Sequence, residues 1–115
     1  MALGATLLIF VTILVGALLL TEVAAAGGSR ALVGTHVTLA LAASALVLIA
    51  ALAASTSMEA AAAAALVVAG SVGVLTWRRS VAHPQARSVS RPLLVIHGAA
   101  AALSLALITL AAAHA

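Results

Sequence analysis

Residues 31–54 read ALVGTHVTLALAASALVLIAALAA, a run in which His36 is the one ionisable side chain. A membrane-spanning helix needs roughly 20 mostly apolar residues at about 1.5 Å each, and this run supplies them. Strands of a membrane barrel alternate apolar and polar residues, whereas this run stays apolar, so it predicts a helix. Three further stretches qualify in the same way: 2–26, 58–77 and 92–114. They are separated by Gly27-Gly28-Ser29-Arg30, by Ser55-Thr56-Ser57, and by the polar segment from Arg78 to Arg91. Links this short join antiparallel neighbours, so the expected architecture is all-α: an up-down-up-down bundle of four transmembrane helices forming a single domain over 1–115.

Composition agrees. The chain has 115 residues, 66% of them hydrophobic and 6% charged, and a mean hydropathy of +1.37, against roughly 45–50% apolar and 25% charged in a soluble domain. Five arginines and two glutamates cannot cover the surface of a water-soluble fold, so hydrocarbon is the expected solvent for most of it. The pI of about 11.8 reports a few uncompensated arginines and does not describe a nucleic-acid-binding patch. The absence of cysteine removes disulfides, iron–sulfur clusters and thiol chemistry together.

Arginine placement predicts orientation. Arg30 lies in the first link and Arg78, Arg79, Arg87 and Arg91 in the third; the second link and both ends carry none. All five fall on one side of the expected bundle. The positive-inside rule makes that side cytoplasmic, with both termini outside, in a membrane of the bacterial inner type. Trp77 beside Arg78 marks the inner interface, and Glu59 falls on the outer side. Glu22, near the inner end of the first span, reads as a snorkelling or salt-bridged end residue. Val23-Ala24-Ala25-Ala26 resembles a signal-peptidase site, but no basic region precedes the apolar stretch, so a retained span is expected.

Bundles in lipid are held by close backbone approach, which small residues allow. The third span repeats Ala65, Ala69 and Gly73 at every fourth position and reads as a packing helix with no chemistry of its own. An aromatic content of 2% argues against a substrate cage built on stacking or cation–π contact.

Ionisable side chains inside a span are rare and point to function. His36 and His97 stand out. The second span opens Arg30-Ala-Leu-Val-Gly-Thr-His36 and the fourth opens Arg91-Pro-Leu-Leu-Val-Ile-His97, the same spacing on two helices expected to run parallel. Each imidazole then sits about 9 Å inside its arginine, at a common depth. Helical neighbours match too: Leu39, Ala40, Ala43 and Ser44 lie on the deep side of His36, and Ala100, Ala101, Ser104 and Leu105 on the deep side of His97, a mostly small-residue patch in each case. Such small faces would let a flat macrocycle lie between two helices. Gly34 and Gly98 fall on other faces and are assigned to backbone packing.

Three readings of the pair stay open: metal or haem ligation, structural hydrogen bonding across the bundle, and proton or substrate handling. Within ligation, zinc lacks partners, because structural zinc takes four ligands and catalytic zinc usually three. Haem brings four equatorial nitrogens, so two histidines complete its octahedron. Propionates directed to the inner surface would meet Arg30 and Arg91, supported by Arg78, Arg79 or Arg87. The expected cofactor-binding set is therefore His36 and His97 as metal ligands, with Arg30, Arg91, Ala40, Ala43, Ala101 and Ser104 around the group. An iron with both axial positions filled has no open site for oxygen and would carry electrons.

In these features the chain resembles the bis-histidine b-type membrane cytochromes, whose four-helix cores hold haem between histidines on facing helices. The resemblance lies in the bundle as a whole and in the two Arg-x5-His segments. It implies one haem b on His36 and His97, and electron exchange with a quinone or a partner subunit, in a homo- or hetero-oligomer. Two-haem members need a second pair; His114 lies about 25 Å beyond His97, but Ala53 stands at the matching position of the second span. Met58 with His114 is a further candidate pair, against the ordinary reading of a frayed terminal histidine. His83, before Pro84, reads as a loop residue.

Nothing in the chain suits hydrolysis, group transfer or phosphate binding, and an enzyme is not expected. Two other classes remain beside the electron-transfer subunit. A small proton-coupled transporter would want a carboxylate deep in the first span and aromatic residues around its substrate, where this chain has Glu22 near an end and only Phe10 and Trp77. A non-haem accessory subunit packing in a larger membrane complex would suit the alanine-rich third span. The arginine-rich side also suits anionic lipid headgroups.

Overall fold

The computed structural model describes residues 2–26, 30–54, 56–82 and 90–114. It is all-helical: α1 (Ala2–Ala26), α2 (Arg30–Ala54), α3 (Ser57–Ala82) and α4 (Arg91–Ala113). Each helix is long and apolar enough to cross a membrane. Seven of the eight helix ends agree with the sequence reading to within one residue, and the C-terminal end of α3 departs from it. It continues past Trp77 through Arg78 and Arg79 to Ala82, because hydropathy ends a span but not a helix, and arginine is itself a good helix former.

Local signals set the helix ends. Thr56 precedes α3 and its hydroxyl meets Glu59 twice, accepting from the Glu59 N–H at 3.4 Å and donating to the carboxylate Oε2 at 2.6 Å. This Ser/Thr-x-x-Glu arrangement occupies an otherwise orphan N–H and puts a carboxylate in the first turn, where the helix dipole favours it. Pro92 falls in the first turn of α4, where its missing N–H costs nothing. At the other end the His114 N–H reaches back to the carbonyls of Leu110 and Ala111.

The helices close a ring in which α1 packs on α2 and α4, and α3 packs on α4 and α2. His36 and His97 therefore come from helices across the diagonal. The long axis measures 47 Å, enough for a bilayer of about 40–45 Å with its headgroups. Large apolar side chains such as Leu3, Leu41, Leu52, Val67 and Val95 point outward, as expected where the surrounding medium is as apolar as leucine.

The interior is uneven along the axis. Ala5, Ile9, Ala43, Val47, Ala62 and Ile108 form a fully enclosed apolar cluster. Ala62 also takes a hydrogen bond through its carbonyl from the buried Ser104 hydroxyl, 2.9 Å away. On the arginine side of the two histidines, no described side chain in 17–21, 30–35, 74–79 or 91–96 is buried. Burial is concentrated on one side of the histidine layer, although a groove between α2 and α3, lined by Leu41, Ser44, Ala63, Val67 and Gly70, opens on that side too.

A quasi-twofold relation links the two hairpins. Ala5, Thr12 and Gly16 of α1 take the places that Ala62, Ala69 and Gly73 take on α3, and His36, Ala43 and Val47 of α2 those of His97, Ser104 and Ile108 on α4. The alanines, Thr12, Ser104, Val47 and Ile108 of these sets are all buried. Gly16 and Gly73 each face the histidine of their own hairpin.

Candidate functional site: a histidine pair between the hairpins

The two imidazoles meet edge to face, with ring centres 6.0 Å apart and planes at 66°. Both are half-buried. His36 Nδ1 lies 3.0 Å from the Thr12 carbonyl oxygen of α1, and His97 Nδ1 lies 2.7 Å from the Ala69 carbonyl oxygen of α3. A carbonyl oxygen can only accept, so Nδ1 donates in both cases and carries the proton. In a neutral ring the lone pair then belongs to Nε2. Neither Nε2 has a hydrogen-bond partner, and neither is sealed off, because no fully buried side-chain nitrogen or oxygen among the described residues lacks one.

A backbone carbonyl on one ring nitrogen is the usual companion of a ligating histidine: it fixes the tautomer and raises the basicity of the other nitrogen. The ring-centre separation is close to that of two imidazoles bound to one ion, about 6 Å; the edge-to-face tilt is not the in-line arrangement such an ion would impose.

The other expected site residues fall as follows. Ala43 and Ser104 are buried about two turns deeper than the histidines, and Ala40 and Ala101, about one turn deeper, are half-buried. The Ser104 hydroxyl is committed to the Ala62 carbonyl, while that of Ser44 folds back to the Ala40 carbonyl at 2.8 Å. Arg30 and Arg91 are exposed at the open ends of α2 and α4, as are Arg78 and Arg79 on α3. Arg87 and His83 lie outside the described residues, and so does the side chain of Glu22. His114 is exposed, with Nδ1 donating to the Leu110 carbonyl of its own helix at 2.8 Å. Among the described residues no group of three or more His, Asp or Glu side chains could hold a metal ion, so a bare zinc site has no ligand set there.

Two residues of this site escaped the sequence reading. A methyl group built on Gly16 would lie 2.9 Å from His36 Cε1 and 3.3 Å from its Nδ1; one on Gly73 would lie 3.1 Å from His97 Cε1 and 3.3 Å from its Nδ1. Gly34 and Gly98, which the sequence reading assigned to backbone packing, instead face open space. The third span, expected to have no chemistry of its own, supplies both the Ala69 carbonyl and the Gly73 gap. A small residue one turn after an inward carbonyl was the available signal, and the fourfold repeat of α3 had masked it as packing.

Comparison with protein-family models, with curated proteins and with solved structures finds no match to this chain.

Proposed function

We propose that the chain is an electron-transfer subunit, a membrane-embedded up-down-up-down bundle that holds one haem b between His36 and His97. The observation that carries this reading is the imidazole pair itself: ring centres 6.0 Å apart, with each Nδ1–H engaged by a carbonyl of another helix. Structural hydrogen bonding would account for the two Nδ1 contacts, but it gives no use for the two Nε2 lone pairs.

Three further features support the reading. His97 pairs with Ala69 and Ser104 with Ala62, so numbers rise along α4 as they fall along α3, as an up-down chain requires. The described side chains on the arginine side of the histidines are not fully buried, so a group held by the two rings could extend that way. Arg30 and Arg91 stand on that side, one helical turn and a half from each histidine, with charges suited to propionates. Bound between two imidazoles, haem iron supplies one-electron transfer without an open coordination position. The chain's own part would be to hold the group through His36 and His97, to exclude water from the deep face through the Ala43 and Ser104 packing, and to balance its acidic groups through Arg30 and Arg91. The arginine side is read as cytoplasmic, where a quinone or a redox partner subunit would exchange the electron.

The test is the absorption spectrum of protein purified in detergent from haem-replete cells, with haem counted per chain. One low-spin b-type haem, sharpened by dithionite and lost in His36→Ala and in His97→Ala, is expected. Colourless wild-type protein overturns the reading. An unchanged spectrum in either variant removes that histidine as ligand.

A further inference from the structure

Each histidine rests in the same two-part feature of the neighbouring helix of its hairpin. On α1 the Thr12 carbonyl faces His36 Nδ1 at 3.0 Å, and one turn further Gly16 leaves room for the Cε1 edge. On α3 the Ala69 carbonyl faces His97 Nδ1 at 2.7 Å, and one turn further Gly73 does the same. The two parts constrain the ring together. A methyl at position 16 would be 2.9 Å from Cε1, closer than carbon atoms approach without repulsion. The ring can relieve that contact only by swinging away from the helix, and that motion breaks the hydrogen bond to the carbonyl on the same helix.

We propose that Gly16 and Gly73 are positioning residues, and that each forms with the carbonyl four residues before it a notch that locks its imidazole in the Nδ1–H tautomer and leaves Nε2 as the free nitrogen. The use of that nitrogen as a metal ligand rests on the haem reading above, but the lock does not. Because the notches lie on quasi-equivalent positions of the two hairpins, the two rings are held independently and to the same end. Gly34 and Gly98 are next but one and next to the histidines in sequence, yet an added methyl there meets nothing within 4 Å. They are built-in controls.

The experiment is nitrogen magnetic resonance of protein labelled with 15N-histidine in lipid, with signals assigned through His36→Gln and His97→Gln. One-bond proton couplings and shifts show which ring nitrogen carries the proton. Both histidines are expected as Nδ1–H in the wild type, the tautomer that free histidine disfavours. Gly16→Ala is expected to shift His36 toward Nε2–H and leave His97 in place; Gly73→Ala, where the contact of 3.1 Å asks for a smaller movement, shifts His97 in the same direction but less and leaves His36 in place; Gly34→Ala and Gly98→Ala change neither. Circular dichroism of each variant checks that the helices remain. Wild-type histidines in the Nε2–H form overturn the proposal without recourse to any variant, and so does a folded Gly16→Ala protein whose His36 is unaltered. Haem retention is read on the same samples. Loss of the carbonyl partner of a ligating histidine typically weakens binding about 10–100-fold, and Gly16→Ala and Gly73→Ala are each expected in that range. Colourless wild-type protein with both rings in the Nδ1–H form supports the notches and overturns the haem reading alone.

Discussion

Ser104 and Gly16 act at the residue scale in opposite ways, one through a group that is present and the other through a group that is missing. Ser104 is fully buried and its hydroxyl bridges α4 to α3. The hydroxyls of Thr12, Thr38 and Thr109, by contrast, turn back to their own helix. Ser104→Ala keeps the Cβ packing and removes only the bridge, and the quasi-equivalent Ala43 already manages without one. The expected cost is about 0.6 kcal/mol and under about 2 kcal/mol, measured by reversible unfolding in mixed micelles. A larger loss would mean that the hydroxyl organises more of the interior than one contact. The histidines were legible in the sequence because a charge-capable ring is conspicuous in an apolar run. The glycines that seat them were not, because what makes them matter is a ring contributed by another helix. Helical periodicity assigns neighbours within one helix only, which is why it drew attention to Gly34 and Gly98 beside the histidines and passed over Gly16 and Gly73 opposite them.

At the scale of the element, α3 carries the clearest local determinants. Its first turn is closed by Thr56 and Glu59, the latter only 7% exposed despite its charge. Thr56→Ala removes the side-chain acceptor for an N-terminal N–H and the hydroxyl partner of the carboxylate. It is expected to destabilise the protein by about 0.5–2 kcal/mol, with Thr56→Ser close to neutral. The same unfolding titration reads both, and equal losses in the two variants would show that the methyl, not the hydroxyl, matters. The Thr-x-x-Glu pattern stood in the sequence, where Glu59 served only to mark a side of the membrane. The four helices themselves were legible almost to the residue, since an apolar run of this length has no other way to satisfy its backbone in lipid. The exception is the extra turn of α3 beyond Trp77, where polar residues end the apolar run without ending the helix.

For the whole molecule, the arginine distribution makes a topological claim that the chain's lack of cysteine renders easy to test. Ser57 lies at the Glu59 end of the bundle and Ser90 just before Arg91. Single substitutions Ser57→Cys and Ser90→Cys are expected to react with a membrane-impermeant maleimide from opposite sides: the first in intact cells, the second only after permeabilisation. The reverse result inverts the orientation, and labelling of both from one side overturns the up-down arrangement. The histidine pair adds a constraint on how such a chain matures. It draws one ring from each of α2 and α4 and one seat from each of α1 and α3, so no partial chain contains it. Of these four helices α4 is made after the other three, and its arrival completes the site. A ligand that requires both rings would therefore be captured only by molecules in which all four helices are in place, and pigment content would report the fraction of the population that had reached that stage.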